Sequence, residues 1–79
     1  MLRGQSTEHG NEVRRRMLEY IGQYISEHGY APSNKEIADE IKIAPSCLWK
    51  HMKILLAQGD IETDLEDNWH TSRAYRLRR

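Results

Sequence analysis

Disulfide chemistry is missing from this chain, because its 79 residues hold one cysteine, Cys47, which has no partner within the sequence. Nothing therefore marks an oxidising compartment, and a cytoplasmic setting is the default expectation. Apolar side chains are also scarce, at 38% of residues against about 45–50% in ordinary globular domains. So small a core suits one domain made of a few long elements and excludes a two-domain enzyme. No apolar run approaches the roughly 18 residues of a bilayer span, and the first eleven residues lack the hydrophobic stretch of a secretion signal. No membrane contact is expected. Net charge is absent too: twelve basic residues balance twelve acidic ones, and the pI is near 6.9. That excludes a globally basic nucleic-acid binder, so any such surface must come from how the charges are distributed.

What is there is helical periodicity, punctuated at regular intervals. Residues 1–10 hold one large apolar side chain after Met1, with Gly4 and Gly10 among polar residues, and are expected to form a flexible arm ahead of a domain spanning 11–79. From Asn11, a plausible N-cap, residues Val13, Met17, Leu18, Tyr20, Ile21, Tyr24 and Ile25 recur at three- and four-residue steps and predict a helix to about His28. Gly29 suits a left-handed stop. Pro32 cannot continue a helix, and Ser33 with Glu36 three residues on forms a capping-box pattern that opens a short second helix, Asn34 to about Lys42. Pro45 suits the first position of a third helix, which runs on Leu48, Met52, Leu55 and Leu56 to Gln58 before Gly59.

After Gly59 the period changes to two. Ile61 and Thr63, then Tyr75 and Leu77, alternate with polar residues and predict two strands joined by a projecting loop over Leu65–Thr71. The expected architecture is mainly α (α+β): a three-helix winged helix-turn-helix whose wing is the C-terminal two-stranded hairpin.

Charge is segregated along this frame. From Ile41 to Gly59 there are three lysines and no acid, whereas residues 17–40 hold five acids against one lysine and residues 60–68 hold five acids and no base. The third helix is thus the one electropositive island in the middle of the chain. Arg14 to Arg16 and the arginines at 73, 76, 78 and 79 form two further clusters.

The wording of the chain narrows the class. The stretches Ile25-Ser26-Glu27-His28-Gly29-Tyr30-Ala31-Pro32-Ser33, Lys35-Glu36-Ile37-Ala38 and His51-Met52-Lys53 resemble the N-terminal DNA-binding domain of the LexA repressor family. The match continues through Leu55 to Ile61 and reappears in Arg73-Ala74-Tyr75-Arg76-Leu77. The resemblance implies sequence-specific binding to double-stranded DNA, most often to repress transcription, with the third helix in the major groove of a bacterial, phage or archaeal-type genome. The family's self-cleaving C-terminal domain has no counterpart in these residues, so a stand-alone module that does not switch by autoproteolysis is expected.

On that reading Ser46, Cys47 and Trp49 reach base edges, Lys50 meets guanine acceptors or a phosphate, and Lys53 meets a phosphate. Ser33 and Asn34 offer the amides of a helix start to another phosphate, and Arg73 contributes from the returning strand. Asp64, Glu66 and Asp67 would be repelled by phosphate, so base contact at the wing tip is not expected. One module binds weakly at physiological salt, which points to a homodimer formed through the first helix, Trp69 and the strands.

The alternative from another class is a protein-binding winged helix that grips its partner with Trp49 and the Trp69 loop. No metal or cofactor is expected, since His9, His28, His51 and His70 lie far apart in sequence and Cys47 is the lone thiol. His51, beside the apolar stripe, reads as a packed or phosphate-contacting residue. No enzyme is expected either: neither a carboxylate pair on one face, nor a nucleophile with a base, nor a glycine-rich phosphate loop is present.

Overall fold

The computed structural model describes residues 2–65 and 73–78. Three helices, α1 (Leu2–His28), α2 (Asn34–Ile41) and α3 (Pro45–Gln58), are followed by strands β1 (Ile61–Thr63) and β2 (Tyr75–Leu77). The strands pair antiparallel in the register Ile61 with Leu77, Glu62 with Arg76 and Thr63 with Tyr75. The two helices of the second and third positions, their short turn and the closing hairpin are those expected from the periodicity.

Helix α1 departs from that expectation at its start. It begins at Leu2, so Asn11 is an interior residue and the segment expected to be an arm is helical. Once α1 is nucleated by the packed turns from Val13 onward, adding a residue fixes one backbone for one hydrogen bond, and even a sequence with two glycines can propagate the helix. The 27 residues at 1.5 Å each account for the 40 Å long axis of the molecule.

The core is one cluster to which every element contributes. Val13, Met17 and Ile21 of α1 meet Ile37, Ala38 and Ile41 of α2 and Leu48, Met52 and Leu55 of α3, while Ile61 and Tyr75 bring in the hairpin. Each set recurs at helical or alternate spacing, which is why a chain poor in apolar residues still closes a continuous interior.

Turn chemistry fixes the angles between elements. Ser33 caps α2 reciprocally: its hydroxyl accepts from the Glu36 amide at 3.3 Å, and its own amide donates to Glu36 Oε1 at 2.8 Å. Lys42 ends α2 in the left-handed region with φ 68, its amide donating to Ala38 O at 2.7 Å. Ala44, the residue before α3, offers no side-chain cap, and Pro45 follows it. Gly59 ends α3 at φ 85, and the next amide, that of Asp60, donates back to Leu55 O at 3.0 Å. The loop-side end of the strand pair is then tied to the α1–α2 turn, where the Tyr75 hydroxyl donates to Pro32 O at 2.6 Å.

Candidate nucleic-acid interface

Burial of Leu48, Met52 and Leu55 orients α3. At 100° per residue the opposite stripe carries Ser46, Lys50 and Lys53, with Cys47 and Ile54 on one flank, and all five are exposed. Among the described residues no ion pair involves Lys42, Lys50 or Lys53. No acid lies on α3 to pair with Lys50 or Lys53. At the start of α3 the amides of Ser46 and Cys47 precede the first helical bond, that of Leu48 to Ala44 O at 3.0 Å, and no side chain caps them. A basic stripe thus adjoins a helix start whose dipole favours an anion.

Trp49 is placed differently from the exposed position expected of it. It falls between the buried and exposed stripes, is half-buried against the core cluster, and carries Lys53 Nζ 5.6 Å from its ring centroid. Its accessible edge therefore lies at the border of the basic stripe rather than at its centre. Trp69, with the acids at 66 and 67, lies outside the described residues.

Ser33 and Asn34 stand at the first turn of α2, both half-buried. The Ser33 hydroxyl is engaged by the Glu36 amide, so it serves the cap, and the carboxylate of Glu36 already occupies the positive end of this helix. The local dipole is partly neutralised as a result.

Arg73 does not join the basic stripe. Its Nη1 donates to Glu36 Oε1 at 2.7 Å, to Ala31 O at 3.1 Å and to the Tyr24 hydroxyl at 3.2 Å, and its guanidinium lies 5.2 Å from the Tyr30 ring. The guanidinium and the Ser33 amide together hold the Glu36 carboxyl at about 2, well below its ordinary range. Arg73 adopts φ 60, a left-handed conformation unusual for a residue with a Cβ. Arg76 is likewise engaged, by Glu62 at 3.3 Å and Asp64 at 3.5 Å, across the two strands. Opposite charges facing each other on neighbouring strands explain how an acidic first strand and a basic second one coexist.

The N-terminal basic cluster is also largely internal. Arg15 pairs with Glu12 at 2.6 Å and Glu19 at 2.7 Å, and Arg14 reaches across to His51 Nδ1 at 3.0 Å. Burial first, then the nearby charges of Arg14 and His9, push the His51 imidazole below its ordinary range. These cross-element contacts of Arg14 and Arg73 were not legible from spacing, since each joins residues 37 positions apart. Among the described residues no group of three or more His, Cys, Asp or Glu side chains is disposed to hold a metal ion. Nor is any described helix long and apolar enough to cross a membrane.

Two helices joined by the short turn at Lys42–Ala44, a third helix bracing them and an antiparallel hairpin behind them define a winged helix-turn-helix protein. Within that class the chain belongs to the LexA DNA-binding domain family, whose model, described as LexA DNA binding domain, matches residues 11–74. This is a non-catalytic, DNA-binding fold. A comparison with curated proteins found no match.

Proposed function

We propose that this protein is a sequence-specific transcriptional repressor that reads the major groove of duplex DNA with the exposed face of α3. The observation that carries the reading is the acid-free stripe of Ser46, Lys50 and Lys53 on a helix whose start is left without a side-chain cap. Ser46, Cys47 and the accessible edge of Trp49 meet base edges, Lys50 meets a guanine or a phosphate, and Lys53 lies over a phosphate. The amides of Ser46 and Cys47 favour a phosphate oxygen. Asn34 at the start of α2 contributes a flanking backbone contact. Arg73 is assigned to the clasp around Glu36 rather than to DNA, because its Nη1 already has three partners.

About four phosphate contacts give a single module weak affinity at physiological salt, so the reading includes a homodimer meeting two half-sites one helical turn apart. Sedimentation of the protein with its selected duplex tests that part: two chains per duplex are expected, and one chain per duplex at saturation contradicts it.

Binding titrations with a duplex selected from a random library, at several salt concentrations, test the function itself. Log affinity should fall with log salt with a slope of about three to five per module. A slope near zero would instead fit an apolar protein-binding surface and remove the DNA reading.

A further inference from the structure

One Arg14 nitrogen, Nη1, donates to His51 Nδ1 at 3.0 Å, and the other, Nη2, donates to Asn11 Oδ1 at 2.7 Å. The arginine is therefore held at both ends, on its own helix and on α3. Gly10 makes room for it. A Cβ built at that position would stand 3.1 Å from Nη1, tighter than ordinary contact, and Gly10 is itself buried. Because a guanidinium has no lone pair to offer, Nδ1 must be the acceptor, and the neutral ring carries its proton on Nε2. His51 directly follows Lys50 on the basic stripe, so whatever fixes the His51 ring also fixes the rotation of α3 about its axis at that stripe.

We propose that the hydrogen bond from Arg14 to His51 is a positioning brace that sets α3 against α1 for duplex binding, and that a proton on His51 Nδ1 releases it. The proposal rests on the DNA-binding reading of α3. Two chemical facts make the release sharp. Protonation removes the only lone pair Arg14 can use, and it places an imidazolium against a guanidinium in a half-buried contact. The charges that act on the ring are Arg14 and His9, both on α1, while Lys50 adjoins it on its own helix. Neither α2 nor β1, the other elements that pack on α3, adds a charge that acts on the ring. Among the described residues, the charges that act on the ring are of the same sign as the incoming proton.

The consequence runs against simple electrostatics. Another positive charge beside Lys50 should strengthen attraction to phosphate as the pH falls. A broken brace weakens binding, because α3 must be reordered against α1 before its side chains meet the groove. The direction of the pH response therefore separates a brace from a mere surface charge.

The experiment measures affinity for the selected duplex by fluorescence anisotropy from pH 8 to pH 5.5, at constant ionic strength, for the wild type, His51→Gln and Arg14→Met. Melting is followed in parallel so that each variant is shown to be folded at the titration temperature. The wild type should lose affinity on acidification, by less than tenfold at pH 5.5 because the His51 ring is held below its ordinary range, with the loss growing as the pH falls. His51→Gln, whose amide oxygen can accept the same bond and cannot be protonated, should keep the affinity seen at pH 8 and lose the pH response. Arg14→Met should bind weakly at both ends of the range. Nitrogen chemical shifts of the His51 ring in the free protein should show the Nε2–H tautomer at pH 8. Wild-type affinity that rises or stays level on acidification overturns the brace, as does a His51→Gln protein that retains the wild-type fall. A wild type that binds no selected duplex at any pH contradicts the DNA reading along with it, which distinguishes that failure from failure of the brace alone.

Discussion

Glu36 Oε1 accepts from Arg73 Nη1 at 2.7 Å, joining the first turn of α2 to the returning limb of the hairpin. The same carboxylate accepts from the Ser33 amide and from the Tyr24 hydroxyl, so α1, the α1–α2 turn, α2 and the wing meet at one side chain. A helix cap has thereby become the tertiary joint of the molecule. Arginine suits the joint because its planar fork remains charged at every physiological pH.

The stability of that joint has a defined pH window. The folded Glu36 carboxyl lies at about 2 against an ordinary 4.5, so the folded state binds fewer protons than the unfolded chain between those values. The contribution is fully present above about 4.5 and is lost as the pH falls towards 2. Glu36→Gln should lower the melting temperature by roughly 5 °C at pH 7 and flatten the melting profile between pH 5 and 3. Calorimetry across that range checks it, and an unchanged profile would assign the acid sensitivity to other carboxylates.

The two lysines of the exposed stripe should act through phosphate charge. Replacing Lys50 and Lys53 together by Ala should reduce the slope of log affinity against log salt by about two. Melting should hardly change, since both side chains are exposed and unpaired with any described carboxylate. A salt series on the double variant measures this directly, and an unaltered slope with unaltered affinity would remove the stripe from the interface.

Gly59→Ala should destabilise the protein by about 1 kcal/mol or more, because its φ of 85 disfavours a Cβ. The added atom would also stand 3.0 Å from Arg78 Nη1, although the tip of that side chain can move aside. Gly29, at φ 83, has nothing within 4 Å of such a Cβ, so Gly29→Ala should lose only the conformational part. Comparing the two by urea denaturation separates strain from crowding.

Leu48→Ala should be the most damaging of the substitutions considered, at about 2–5 kcal/mol, since the side chain is fully buried where α3 meets the other helices. The expected readout is a lower urea midpoint with a similar denaturant slope.

Much of this architecture was legible because local rules and packing agree. The capping box at Ser33, Pro45 at the start of α3, the glycine stops and the change of period after Gly59 each act within a few residues. The extent of α1 was not legible, since residues 2–10 carry no stripe of their own and their helicity is inherited from the packed turns that follow. The half-burial of Trp49 was not legible, because an aromatic at the border of two stripes is half-covered and sequence alone does not show how far a neighbouring element reaches. Arg73 read as a DNA contact because a basic residue on a wing strand invites it. Its partners in this structure, Glu36, Tyr24 and Ala31, are brought near only by the tertiary fold.

The central claim is that the outer face of α3 meets the duplex. A titration of the nitrogen-15-labelled protein with its selected duplex, followed by amide chemical shifts, tests it most directly. The largest changes should fall on Ser46, Cys47, Lys50 and Lys53 and at the start of α2. Amides of α3 that hold their positions at saturation, while changes gather on the outer side of α1 or on the strands, would contradict the account.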